Sequence, residues 1–211
     1  MLWVFFFKNP SFFFFSIERR CFILRIYNKN LEEYINKNYP GATLVKSQTY
    51  YGKPYYLQKN YGGANDCTLM SISYTIKKLY SNYIISDIYN KVEAAAKCFL
   101  YKENIGTIPV FINSIIKKAY GLKAEGKLIK NVGFTAKTII KKLEKSPVIL
   151  SIFSDGNSYY KNHSITVVGY KQYNFNNKPI YLFEVRDNWN SDSSYVDYQK
   201  MCNISSINYI G

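Results

Sequence analysis

Apolar residues recur at helical spacing over the first two-thirds of the chain, then give way to short β-branched runs. Leu69, Ile72, Ile76, Leu79 and Tyr83 mark one face of a helix over roughly 66–80. A second helix is predicted from Ser86 to Phe99, with Ile88, Val92, Ala95 and Phe99 inward, and Cys98 packing beside them. A third starts at Thr107, carries Pro109 in its first turn where a missing N–H costs nothing, and stops at Gly121. A fourth, about 135–145, turns Ile139, Ile140 and Leu143 inward. Upstream, Asn30-Leu31-Glu32-Glu33 opens a short helix with capping-box character, ended by Tyr39-Pro40-Gly41. Ala42–Tyr51 and Pro54–Gln58 read as extended, on either side of a Gly52-Lys53-Pro54 turn.

After Pro147 the period changes to that of strands: Val148–Phe153, Ser164–Tyr170 and Ile180–Val185, separated by polar turns. Helices first and strands later predict an α+β domain over 30–211, a helical part (about 30–146) packed on an antiparallel sheet (about 147–211). The chain's 211 residues and 47% hydrophobic content suit one domain with a core of its own.

Charge and the first 29 residues change this picture little. The formal charge is +14, but the lysines are scattered in pairs such as Lys77-Lys78, Lys117-Lys118 and Lys141-Lys142, on the polar sides of helices. No RNA-binding signature, zinc finger or helix-turn-helix pattern accompanies them, so nucleic acid ranks second as a partner class. Residues 1–27 hold apolar runs broken by Lys8, Pro10, Glu18, Arg19 and Arg20, too short to span a bilayer. A membrane-contacting leader and a gene start set too early are both open readings of 1–29. Four cysteines (Cys21, Cys67, Cys98, Cys202) and a single histidine offer no zinc spacing, so neither a metal nor another cofactor is expected.

Chemistry concentrates at three points. Tyr61-Gly62-Gly63-Ala64-Asn65-Asp66 is a glycine-bearing loop that runs into Cys67 where the 66–80 helix begins, with Asn65 or Asp66 as N-cap. A thiol in that turn lies at the positive end of the helix dipole, which favours thiolate. His163 opens the strand Ser164–Tyr170 after a polar loop (Ser154–Ser158). The next strand delivers Asp187-Asn188-Trp189-Asn190 at its end. Thiol chemistry needs a base for the proton and an oxygen-bearing group to orient the imidazole, and these residue types appear in that order.

These blocks, Asn65-Asp66-Cys67-Thr68-Leu69, His163-Ser164-Ile165-Thr166-Val167-Val168-Gly169-Tyr170 and Val185-Arg186-Asp187-Asn188-Trp189, resemble those of papain-like cysteine peptidases over roughly residues 54–200. In style they are nearest the branch of bacteriocin-processing, double-glycine leader peptidases. The resemblance implies Cys67 as nucleophile and His163 as general base. It implies Asp187 as the residue orienting the ring, with Asn188 as the alternative, and Trp189 as a shield from water. The oxyanion would be held by the Cys67 main-chain N–H and an upstream glutamine. Gln58 is the only one near, nine residues before Cys67 where the family's gap is shorter, so Asn60 or Asn65 is the other donor. Thr68 stands where the family commonly has glycine. The substrate implied is a peptide or protein, in a bacterial cytoplasmic or membrane-associated setting. An acyltransferase of transglutaminase type on the same three residues, and a non-catalytic basic binding domain, are the competing readings.

Overall fold

The computed structural model describes residues 25–52, 60, 65–128, 135–152, 162–191, 194–201 and 204–211. Readings of residues 1–24, of the Pro54–Gln58 segment, of the Gly62-Gly63 loop, of Ser154–Ser158 and of Cys21 and Cys202 lie outside these residues. Among the described residues there are five α-helices: α1 (Leu31–Asn38), α2 (Cys67–Leu79), α3 (Ile85–Lys97), α4 (Ile112–Tyr120) and α5 (Ala136–Leu143). Eight strands complete the set: β1 (Ile26–Tyr27), β2 (Thr43–Thr49), β3 (Ala124–Leu128), β4 (Val148–Ile152), β5 (His163–Phe175), β6 (Lys178–Arg186), β7 (Ser194–Asp197) and β8 (Ile204–Ile210). The fold is α+β. All strand pairs are antiparallel, in the order β1-β7-β6-β5-β4-β8-β3, with β2 joined to the far end of β5.

The helices form where the apolar period placed them, and their ends follow local chemistry. Thr135 caps α5 by accepting from the Thr138 N–H, and α4 ends on Gly121 with φ of 68°, a left-handed value that glycine adopts without strain. Pro109 sits in a single 3-10 turn, Pro109–Phe111, that leads into α4.

The sheet is more extensive than the strand pattern after Pro147 predicts, because it recruits β1 from before α1, the extended 42–51 segment as β2 from between α1 and α2, and β3 from between α4 and α5. β8 runs inside the sheet between β4 and β3, although its sequence includes Ser206 and Asn208. Both are buried and paired: Ser206 donates to Asn208 Oδ1 at 2.9 Å, and Asn208 Nδ2 donates to Asn113 Oδ1 at 2.9 Å.

Helices cover both faces of the sheet. Val148, Leu150 and Ile152 of β4 join a core with Ile139 and Leu143 of α5 on one face, while Ile149 joins α2, α3 and α4 on the other. A strand covered on both sides reads as a continuous apolar run, which is how β4 reads. A third cluster seats Leu31, Tyr34 and Ile35 of α1 on Ile180 and Leu182 of β6.

Two packing expectations are corrected. Helix α2 buries more than one face: Thr68 to Ile76 are all buried, because its second side is built of Ser71, Ser73 and Thr75, small enough to lie against the sheet. Tyr83 lies beyond the helix and is exposed. Cys98 caps the end of α3 and is also exposed, since it follows Lys91 and Ala94 on the outer face of the helix, away from Ile88, Val92 and Ala95.

Gly169 is needed where it stands. β2 crosses β5 there, opposite Thr49, and β5 bulges against β6 at the same point. A Cβ on Gly169 would lie 2.5 Å from the Gln48 carbonyl oxygen and 2.9 Å from Thr49 Cα. Both atoms are backbone, so β2 itself would have to move. Gly169→Ala is therefore expected to destabilise the fold by about 3 kcal/mol. Urea unfolding checks this, and an unchanged midpoint contradicts the packing described.

Candidate active site

Helix α2 begins at Cys67, so the sulfur stands in a first turn whose N–H groups have no intrahelical partners. The helix is held against β5 by hydroxyls. Thr68 Oγ1 and Ser164 Oγ are 2.7 Å apart, Ser164 Oγ and Ser151 Oγ 3.3 Å, and Ser71 Oγ donates to the Ser164 carbonyl at 3.2 Å. Since Ser164 follows His163, the same contacts bring the start of α2 to the start of β5.

Cys67, His163 and Trp189 line one cavity of about 300 Å³. Asn65 and the 105–109 segment form another of its walls, where Ile105 and Ile108 expose apolar side chains. His163 is buried, with Trp189 over its ring: the centroids are 3.7 Å apart and the planes tilted by 31°.

The imidazole is oriented by main chain. His163 Nε2 lies 2.9 Å from the Asp187 carbonyl oxygen. A carbonyl only accepts, so Nε2 carries the hydrogen and Nδ1 of the neutral ring keeps its lone pair. The carboxylate of Asp187 has other partners. Its Oδ1 accepts from the N–H groups of Trp189 (3.1 Å) and Asn190 (3.2 Å), and its Oδ2 meets Arg25 Nε at 3.0 Å. Asn188, between them, adopts φ of 62° and donates from Nδ2 to Ser71 Oγ at 3.1 Å, tying this turn to α2.

Burial sets the resting protonation. It pushes the His163 pKa down to about 4, against the opposing pull of the Asp187 carbonyl and charge. Burial also pushes the Cys67 thiol up, opposed by main-chain and hydroxyl donors of Ser164 and Thr68. Thiol and imidazole are thus both neutral near pH 7. The thiolate expected from the helix dipole alone gives way to desolvation, the larger effect here.

Asp66, at the N-cap, does not cap with its side chain. Its buried carboxylate accepts instead from Tyr89 Oη at 2.5 Å and from Tyr101 Oη, fixing the residue before Cys67 to α3 and the loop beyond it. Of the oxyanion candidates, Gln58 lies outside the described residues. Asn60 is exposed. Asn65 borders the cavity and donates one amide N–H to the Glu103 carbonyl at 2.9 Å, leaving a second.

Sequence reasoning missed the hydroxyls of Thr68 and Ser164, the two tyrosines on Asp66, and Arg25. The first pair adjoin the motif residues and were legible as neighbours. Arg25 had no signal, since its partners lie at the far end of the chain. Among the described residues, no cluster of His, Cys, Asp and Glu has the makings of a metal site, and no helix is long and apolar enough to cross a membrane.

No family model and no curated protein sequence matches the chain. Among solved structures it is similar to a protein described as a "putative C39-like peptidase" from Bacillus anthracis. The two share 12% identity and a TM-score of 0.49, over 79% of this chain and 98% of the other.

Proposed function

We propose that the chain is a cysteine peptidase that cleaves peptide bonds through an acyl-enzyme on Cys67. The observation that carries this reading is the shared cavity, in which a first-turn thiol and a buried imidazole with a fixed tautomer face one space. As sulfur adds to the scissile carbonyl, His163 Nδ1 takes the thiol proton. It returns that proton to the amine nitrogen as the carbon–nitrogen bond breaks. Water, deprotonated by the same nitrogen, then attacks the thioester and the sulfur leaves with the proton.

Asp187 orients the ring in this scheme, by its carbonyl directly and by its charge, and Trp189 keeps water from the contact. The Cys67 N–H with Gln58 or Asn65 holds the oxyanion. Ile105 and Ile108 favour an apolar side chain near the scissile bond, and the resemblance to double-glycine leader peptidases makes a Gly-Gly bond the first substrate to try.

A degenerate peptide library read by mass spectrometry tests the proposal. New peptide termini are expected with the parent chain and none with Cys67→Ala. Added hydroxylamine is expected to divert part of the product to hydroxamate, as an acyl-enzyme requires. Cleavage that persists in Cys67→Ala contradicts the assignment.

A further inference from the structure

Arg25 lies just before β1, outside every motif block, and yet is buried against the turn that holds the imidazole. Its Nε is 3.0 Å from Asp187 Oδ2 and donates to Ser194 Oγ at 2.6 Å, across 169 residues of chain. Its guanidinium also stacks on the ring of Tyr27, 4.1 Å from the centroid. Both side chains of the ion pair are withdrawn from water (0% and 2% exposed), so their attraction is little screened.

We propose that Arg25 is a positioning residue for the active site: it clamps the Asp187 carboxylate, fixes the turn whose carbonyl holds His163, and offsets the carboxylate's charge at the ring. This rests on the peptidase reading for its consequence, but not for its test. The clamp fits the bonding around it. The carboxylate also accepts from main-chain and amide N–H groups of residues 189 and 190, within the same turn. Arg25 ties the turn to β1 and, through its pairing, to β7, as Asn188 ties it to α2.

Among the described residues, the titratable groups facing the imidazole are Cys67 from α2 and Asp187 from the end of β6, with Arg25 behind Asp187. Neighbouring β4 brings Ser151 and Ile152, and the turn brings Trp189. Removing the guanidinium takes the positive partner from the Asp187 carboxylate, while the N–H donors of 189 and 190 remain on it. The ring then sits beside an uncompensated negative charge.

The chain has one histidine, so an isotope-labelled imidazole gives one unambiguous NMR titration in the full-length protein. Arg25→Gln is expected to raise the midpoint of His163 by about one pH unit, and Arg25→Lys, which keeps the charge, to stay close to the parent. Neither result depends on catalysis, so failure of the peptidase assay and failure of this proposal are separate outcomes. A folded Arg25→Gln chain with the parental midpoint overturns it.

Should Arg25→Gln not fold, the pairing is read from stability. Arg25→Gln combined with Asp187→Asn is then expected to regain a cooperative urea transition, because the unpaired buried carboxylate has been removed. A double variant no more folded than the single one overturns the proposal.

Discussion

Cys67→Ala is expected to lower kcat/KM for peptide cleavage by about ten-thousand-fold or more, with the fold intact. The change removes one small half-buried side chain at the edge of α2, so packing loses little. The proposed reaction loses the atom on which its acyl-enzyme would form. His163→Ala is expected to cost about as much, and the double variant no more than either single one, because a nucleophile and its base act as one unit. Cys98→Ser is the control: its thiol is exposed at the end of α3, away from the cavity, and parental rates are expected. Independent, multiplying losses for Cys67 and His163 would contradict the pairing.

The second large effect is on stability against pH. His163 titrates near 6.5 in an unfolded chain and at about 4 in the folded one. Between those values the unfolded chain takes up a proton that the folded chain refuses, so stability is lost as pH falls through this window and is complete above it. The loss at this one site is about 3 kcal/mol. Carboxylates titrate in the same range, and the comparison that isolates the histidine is with His163→Asn. The difference in unfolding free energy between the parent and His163→Asn is expected to shrink by that amount from pH 7 to pH 4. A constant difference means that the ring is not buried neutral. The same shift sets the rate profile: neutral imidazole is the working form, so kcat/KM is expected to hold down to about pH 5 and fall through about 4.

The helices of this chain were easier to read in its sequence than the sheet. Helices α2 to α5 announce themselves because each lays an apolar stripe on a core at a regular period. Cys67 and His163 open elements whose starts are visible as changes of period. β1, β7 and β8 are short or partly polar, and their strand character comes from neighbours far off in the chain: β1 exists because β7 pairs with it, and β8 because β4 and β3 flank it. The Ser/Thr side of α2 looks solvent-facing, yet it meets β5, where Thr68 pairs with the Ser164 hydroxyl and Ser71 with the Ser164 carbonyl. Asp187 is legible as a residue type at a strand end; that its main-chain carbonyl meets the ring while its carboxylate meets Arg25 is not. No local pattern carries that information.

The most direct measurement is the mass of the intact protein during turnover of a cleavable peptide ester, followed by mapping of the added group. An acyl adduct on Cys67 of the parent, absent from Cys67→Ala, is what a nucleophile in this cavity produces. An adduct found only on Cys98, or turnover with no adduct on Cys67 under any quench, would mean that the sulfur at the start of α2 is not where the chemistry happens.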